Sequence, residues 1–164
     1  MKTLLILRHA KSSWSDASLS DHERPLNKRG RRDAPKMGTL LAHEQLTPDI
    51  IITSSARRAL DTAEAVAAES GYGGSLIVSR ALYHAEPDDY LAEARENGGA
   101  HEIVMIVGHN PGIEDLVEQL TGEWHRMPTA ALAEVRLAIE EWSSLEDDAT
   151  GRLEDLWLPR DLPD

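Results

Sequence analysis

Four short apolar runs mark the first two-thirds of the chain, and each leads into a stretch where apolar residues recur every three or four positions. The runs are Thr3-Leu4-Leu5-Ile6-Leu7, Asp49-Ile50-Ile51-Ile52-Thr53, Leu76-Ile77-Val78 and Ile103-Val104-Met105-Ile106-Val107. They are continuous rather than alternating, which predicts strands covered on both faces, as in a parallel sheet. Between them, Asn27 heads a predicted helix over 28–44 with Ala34, Met37, Leu40 and Leu41 at helical spacing. Ser54 or Ser55 caps a second over 56–69, with Ala59, Ala63, Val66 and Ala67 on one side. A third covers 87–97 before Gly98-Gly99, and a fourth runs from Pro111 to Leu120 before Gly122. The segments 131–139 and 152–158 alternate more and predict one or two edge strands. This repetition predicts an α/β protein, a three-layer αβα sandwich with a mostly parallel central sheet, in one domain over residues 1–164.

Unusual polar residues fall at three strand ends. The first strand ends in Arg8-His9, the second in Thr53-Ser54-Ser55-Ala56-Arg57-Arg58, and the fourth in Gly108-His109-Asn110-Pro111. In open α/β sheets ligands bind beyond the carboxyl ends of the strands, so these groups are candidates to converge. Arginine forks and helix amino termini suit a phosphate group. Metal ligation would need a third ligand. Asp88-Asp89 and Glu114-Asp115 lie on predicted helices without metal-site spacing, and no metal or cofactor is expected. A histidine beside arginines reads instead as a nucleophile for a phosphoryl group. It must be neutral to attack, and nearby positive charge keeps it so.

Composition narrows the chemistry. The 164 residues include no cysteine, which removes thiol nucleophiles, disulfides and thiolate metal sites. The net charge of −12 speaks against nucleic acid or an anionic membrane as a partner. The charge is uneven, with 14 acids and 4 bases after residue 113. Between Arg24 and Lys36, six bases (Arg24, Lys28, Arg29, Arg31, Arg32, Lys36) face one acid, Asp33. That stretch reads either as a solvated helix face or as a dock for an acidic partner. The first apolar run is too short to span a bilayer and leads straight into Arg8-His9, unlike a signal peptide. A cytoplasmic protein, monomeric by default, is the expectation.

Four motifs give the chain a family resemblance. They are Leu7-Arg8-His9-Ala10-Lys11-Ser12, Asp21-x-x-Arg24-Pro25-Leu26-x-x-x-Gly30, Ser54-x-x-x-Arg58-Ala59-x-x-Thr62-Ala63 and Val107-Gly108-His109-Asn110-Pro111. In this order, after these strands, they resemble the histidine phosphatase superfamily, and within it the small SixA-type phosphohistidine phosphatases. The resemblance implies a phosphoglycerate mutase-like fold and a cofactor-independent phosphatase. It implies that His9 accepts the phosphoryl group, that Arg8 and Arg58 bind it, and that His109 contacts it. Arg57 is then expected to point to solvent. Arg24 reads as an auxiliary cation or as a helix-entry residue, and Ser12 with Trp14 as lining the mouth of the site.

Two departures from the superfamily pattern bear on the substrate. Ala10 stands where the usual motif has glycine. The acid that protonates alkoxide leaving groups in many members lacks its full motif; the region reads Arg80-Ala81-Leu82-Tyr83-His84-Ala85-Glu86-Pro87, offering Glu86 and His84. A phosphohistidine imidazole leaves neutral once its ring is protonated and makes a weaker demand on an enzyme acid. The expected substrate is therefore a protein phosphohistidine. The alternatives are a small phosphate ester, with Glu86 as general acid, and a non-catalytic phospholigand-binding module. The remaining histidines read as surface or packing residues, and Trp124, Trp142 and Trp157 as core, since the chain has no phenylalanine.

Overall fold

Residues 1–164 are described by a computed structural model, in which the chain order is β1 (Lys2–Arg8), α1 (Lys28–His43), β2 (Ile50–Ser54), α2 (Arg57–Ser70), β3 (Leu76–Ser79), α3 (Pro87–Asn97), β4 (Ile103–Gly108), α4 (Gly112–Thr121), β5 (Leu132–Leu137) and β6 (Gly151–Trp157). The six strands form one sheet in the order β3-β2-β4-β1-β5-β6. The first four in that order are mutually parallel, while β5 pairs antiparallel with both β1 and β6 at the other edge. The predicted αβα sandwich with a mostly parallel sheet is therefore what the chain forms.

The continuous apolar runs serve two layers at once. Leu5, Leu7, Ile51, Met105 and Val107 pack against Met37 and Leu41 of α1 and Ala63 and Val66 of α2. The alternate residues Leu4, Ile6, Ile52, Val104 and Ile106 pack against Leu91 of α3 and Leu116 and Val117 of α4. Each such fully buried aliphatic side chain contributes about 1.5–3 kcal/mol, so a polar residue on either face of β1 or β4 would be costly. Trp142 belongs to this core and donates its indole N–H to the His101 carbonyl at 2.6 Å. Trp157 is only partly buried, and Trp124 is 53% exposed in the loop after α4, where no element covers it. The expectation that all three fill the core holds for Trp142 alone.

Local signals act mostly as expected. Asn27 caps α1, its side-chain oxygen accepting from the Gly30 N–H at 2.9 Å. Gly122 ends α4 in the left-handed conformation. The cap of α2 differs: Ala56 takes that position and has no polar side chain to bond, while the Ser54 hydroxyl accepts from the Ala56 N–H just before the helix. No helix is long and apolar enough to cross a membrane.

Candidate active site

Strand register brings the two histidines together. In the parallel pair β1–β4, Arg8 lies opposite Gly108, so the next residue of each strand, His9 and His109, emerges from the same end of the sheet. The His9 N–H donates to the Gly108 carbonyl at 3.0 Å, and the two imidazole centroids are 5.1 Å apart. Gly108 has to be glycine because a Cβ there would lie 2.2 Å from the Tyr90 hydroxyl oxygen. That hydroxyl in turn accepts from the His109 N–H at 3.1 Å. Ala10, by contrast, has no left-handed backbone angle, so the usual glycine's freedom is not needed there. Its N–H donates to the Thr62 hydroxyl of α2 at 2.9 Å.

Hydrogen bonding fixes both rings. His9 Nδ1 is 2.7 Å from the Ala10 carbonyl, which can only accept. Nδ1 therefore carries the proton, and Nε2 keeps the lone pair. The Ser54 hydroxyl accepts from the Ala56 N–H at 3.2 Å and lies 2.7 Å from His109 Nε2. The arrangement that uses its single proton has Ser54 donating to Nε2, which leaves the proton of His109 on Nδ1. His9 is 7% and His109 8% exposed. Burial first, then Arg58, Arg8 and Arg24, lowers the His9 pKa to about 3 against an opposing bond to Ala10. His109 is likewise lowered to about 3, by burial first and then by His9 and Arg58. Both rings are neutral near pH 7.

The cations arrive from three elements. Arg8, at the end of β1, donates from Nη1 to the Met127 carbonyl at 3.0 Å, and Asn110 Nδ2 donates to the same oxygen at 2.9 Å. Arg58, in the first turn of α2, donates to the Asp21 carbonyl at 2.8 Å and to Asp21 Oδ2 at 3.1 Å. The loop between β1 and α1 folds back through a bridge between Ser12 and Leu26. It brings Arg24 to the Ser12 hydroxyl (2.8 Å) and to Asp21 Oδ1 (3.0 Å), with its guanidinium stacked 3.4 Å over the Trp14 ring. Gly30 permits that fold, since a Cβ there would lie 2.1 Å from the Lys11 carbonyl oxygen. Arg57 points outward and pairs with Asp61 at 3.0 Å.

Asp21 organises this cluster. Its carboxylate accepts from Arg24, from Arg58 and, at 2.6 Å, from the Tyr83 hydroxyl. The Tyr83 bond first, with Arg24 and Arg58, holds the carboxyl well below the usual carboxylate range despite partial burial. Asp21 stands in the sequence motifs with no role attached, Ser54 only as a helix cap, and Tyr83 is not singled out at all. Spacing could have tied Asp21 to Arg24, three residues away, but no local signal reaches Arg58 or Tyr83.

The predicted residues thus fall into two groups. His9, His109, Arg8, Arg58 and Arg24 cluster beyond the ends of β1 and β4, the three arginines near enough for their charge to act on His9, with Ser12 bonded to Arg24; this cluster is the candidate pocket. Glu86 is exposed at the head of α3, where its N–H donates to Asp89 Oδ2 at 2.9 Å. It lines an acidic surface depression with Asp88, Asp115 and Glu118, and no hydrogen bond joins it to the histidines or arginines. No three histidine or carboxylate side chains come together as a metal site would require. Of five buried side-chain polar atoms without a partner, three are Arg8 Nε, Arg58 Nε and His109 Nδ1. All three are donors, and all belong to this pocket; donors held so are suited to the oxygens of an anion.

Comparison with known proteins gives the same direction. Residues 4–86 match the family model of the histidine phosphatase superfamily (branch 1). An uncharacterized chloroplastic protein of Arabidopsis thaliana is 30% identical over 96% of this chain and 78% of its own length. A solved structure from Agrobacterium tumefaciens, assigned provisionally as the phosphohistidine phosphatase SixA, is 28% identical with a TM-score of 0.81, covering 96% of this chain and 98% of that one. The protein histidine phosphatase SixA complexed with tungstate is 24% identical, with a TM-score of 0.81 over 97% and 98% of the two chains.

Proposed function

Because the chain belongs to the histidine phosphatase superfamily, we propose that it is a phosphatase that removes the phosphoryl group from a phosphohistidine side chain of a protein. His9 Nε2 attacks phosphorus in line, the bond from phosphorus to the substrate imidazole breaks, and that imidazole, its ring protonated from solvent water, leaves as the neutral ring. Water then attacks the phosphorylated His9, releasing inorganic phosphate and restoring the free ring. Arg8, Arg58 and the Nδ1 proton of His109 hold the phosphoryl oxygens while charge spreads over them. Arg24 and Ser12 support the same side of the pocket.

The observation that carries this reading is the fixed tautomer of His9. Its Nδ1 proton is given to the Ala10 carbonyl, leaving Nε2 unprotonated among three cations. The nature of the leaving group is argued from the acids. Asp21, the carboxylate bonded to Arg58, is held ionised and has no proton to give. Glu86 is exposed and bonded to neither histidine. A pocket without a placed acid suits a phosphorus–nitrogen bond better than an alkyl ester. The likeness to the SixA structures agrees with that preference.

The test is to trap the intermediate. The wild type and His109→Ala are mixed with a labelled phosphohistidine peptide and quenched in base, where phosphohistidine survives, and the label is located by mass spectrometry. Label on His9, accumulating in His109→Ala, is the expected result. No label in either protein, with turnover unchanged in His9→Ala, would sink the mechanism. Parallel assays on sugar and nucleotide phosphates with Glu86→Gln address the substrate. A selective collapse of ester hydrolysis in that variant, with esters the better substrates in the wild type, would shift the assignment to a phosphomonoesterase.

A further inference from the structure

The basic stretch at the start of α1 is sorted by the structure into different tasks. Arg24 turns to Asp21 and Ser12. Arg31 donates to the Leu26 carbonyl at 2.9 Å, and Lys36 pairs with Asp164. Arg29 and Arg32 share the buried carboxylate of Asp33, at 3.5 and 3.6 Å. Arg29 alone of these also lines a cavity of about 130 Å³ that it shares with Arg126 and Arg160, two residues from the acidic last third of the chain. Arg126 has no ion-pair partner; Arg160 has only Asp161, at 4.0 Å. Three like charges drawn from distant segments onto one small cavity repel one another, an arrangement that an acidic ligand would relieve.

This cavity adjoins the pocket of His9. The segment from Met127 to Ala131 is shared between them: Met127 accepts from Arg8, the Ala130 N–H donates to the His9 carbonyl at 3.0 Å, and Arg8 N–H to Ala131 at 3.0 Å. Ala130 is held in the left-handed region, at φ 63°, an uncommon conformation for a residue with a Cβ. Met127 is anchored on its other side, its N–H donating to Glu114 at 2.7 Å. Arg126 is thus carried by a segment anchored on both sides, with its own side chain on the cavity rather than among the groups around His9.

We propose that Arg29, Arg126 and Arg160 form a docking subsite that takes aspartate or glutamate side chains lying beside the phosphohistidine of a protein substrate. This rests on the phosphohistidine reading above and adds to it the chemistry of the partner's flanking surface. The walls contributed by Pro128, Leu158 and Pro159 accommodate the methylenes of such side chains, and the arginines meet their carboxylates. A chain of net charge −12 repels an acidic partner overall, so this face also favours the approach that brings the phosphoryl group to His9.

Three probes test it: phosphoramidate, which reads the chemistry alone; a phosphohistidine peptide flanked by Asp and Glu; and the same peptide with Asn and Gln. The variant is Arg29→Gln/Arg126→Gln/Arg160→Gln, with folding checked by its melting curve. The wild type is expected to favour the acidic peptide by about tenfold in kcat/KM, mostly through KM, at low salt. The variant, or roughly 0.5 M salt, is expected to erase that preference. Phosphoramidate turnover by the variant is expected to stay within about twofold of the wild type. Equal use of both peptides by the wild type, or equal losses on both in the variant, overturns the subsite. With a bisphosphorylated sugar added to these three probes, a loss in the variant confined to that sugar also overturns the subsite, because it would make the cavity a second-phosphate site. If no phosphorus–nitrogen probe is turned over, the chemical reading fails by itself. The subsite is then judged by binding of the unphosphorylated acidic peptide, and equal affinity for wild type and variant would refute it.

Discussion

Asp21 touches no candidate nucleophile, yet three groups of the pocket depend on it. Its two oxygens fix the guanidinium planes of Arg24 and Arg58 and the Tyr83 hydroxyl, whose ring packs 5.6 Å from that of His109. Asp21→Asn keeps one acceptor and loses the charge that holds both arginines. A misplacement of about 1 Å in a positioning group costs up to ~100-fold, so kcat/KM for phosphoramidate should fall between about tenfold and a hundredfold. Tyr83→Phe removes one neutral-donor bond and should cost only about two- to fivefold. If the two act as one unit, the double variant will resemble Asp21→Asn alone rather than the product of both effects. Steady-state kinetics on the three variants decides this, and strictly multiplicative losses would show that Asp21 and Tyr83 act separately. The residues invisible to sequence reasoning are of this kind. His9, His109, Arg8 and Arg58 announce themselves by lying just beyond strand ends. Asp21 acquires its role from partners 37 and 62 positions away, and nothing nearby in the chain foretells them.

Elements convert these positions into geometry, and their ends are where the site is set. The β1–β4 register puts His9 beside His109 only while the backbone at Gly108 can pass the Tyr90 ring. Gly108→Ala would place a Cβ 2.2 Å from the tyrosine oxygen and 2.5 Å from its ring carbon. Such overpacking costs about 1–3 kcal/mol, and the displaced ring or strand would also disturb His109, so urea stability and phosphoenzyme formation should fall together. Asn27→Ala tests a different element end. Losing the bond from the Gly30 N–H to the cap should cost about 1 kcal/mol with little change in turnover. Should that variant lose activity without losing stability, the cap would have a catalytic connection that its geometry does not suggest. The same contrast explains which elements were legible. Strands β1, β2 and β4 are continuous apolar runs because both faces are covered, and Asn27 caps by a bond made within three residues. Strand β3 reads the same way but lies at the sheet edge, where Val78 is 50% exposed and neither face is fully covered. The span of α2 is legible to within one residue, but its cap is not: Ala56 takes that position, while Ser54, a good cap by composition, lies 2.7 Å from His109, 55 residues on. The Ser54 hydroxyl serves both sides, accepting from the Ala56 N–H just before the helix and meeting His109 across the site. Trp124 was misread because an indole suits a core, but no layer lies over the loop that carries it.

At the scale of the whole molecule, the folded sheet holds two neutral imidazoles where solvent would charge them. Both native histidines have pKa values lowered to about 3 from 6.5, with burial the leading cause in each. Below pH 6.5 the unfolded chain takes up protons that the native pocket refuses, so the unfolded state is increasingly favoured. The contribution of these two groups to stability is therefore complete above about pH 6.5 and is lost progressively as pH falls toward 3. At pH 5 the loss is on the order of 1–2 kcal/mol for each imidazole. Urea unfolding of wild type and His9→Asn/His109→Asn at pH 7, 6 and 5 isolates it. The double variant removes the two buried rings, so it separates their share from that of every other titrating group. The wild type should lose more stability than the double variant between pH 7 and 5, by an amount on the order of 2–4 kcal/mol. Parallel curves for the two proteins would mean that the imidazoles take up protons in the native state as readily as in the unfolded one. His9 would then enter the acidic range already protonated, and the turnover of phosphoramidate, corrected for its spontaneous hydrolysis, would decline below pH 6.5. A pocket that stays dry around neutral rings instead keeps its nucleophile across that range. Stability is then what declines with acid, while the intrinsic reactivity of His9 persists as long as the fold does.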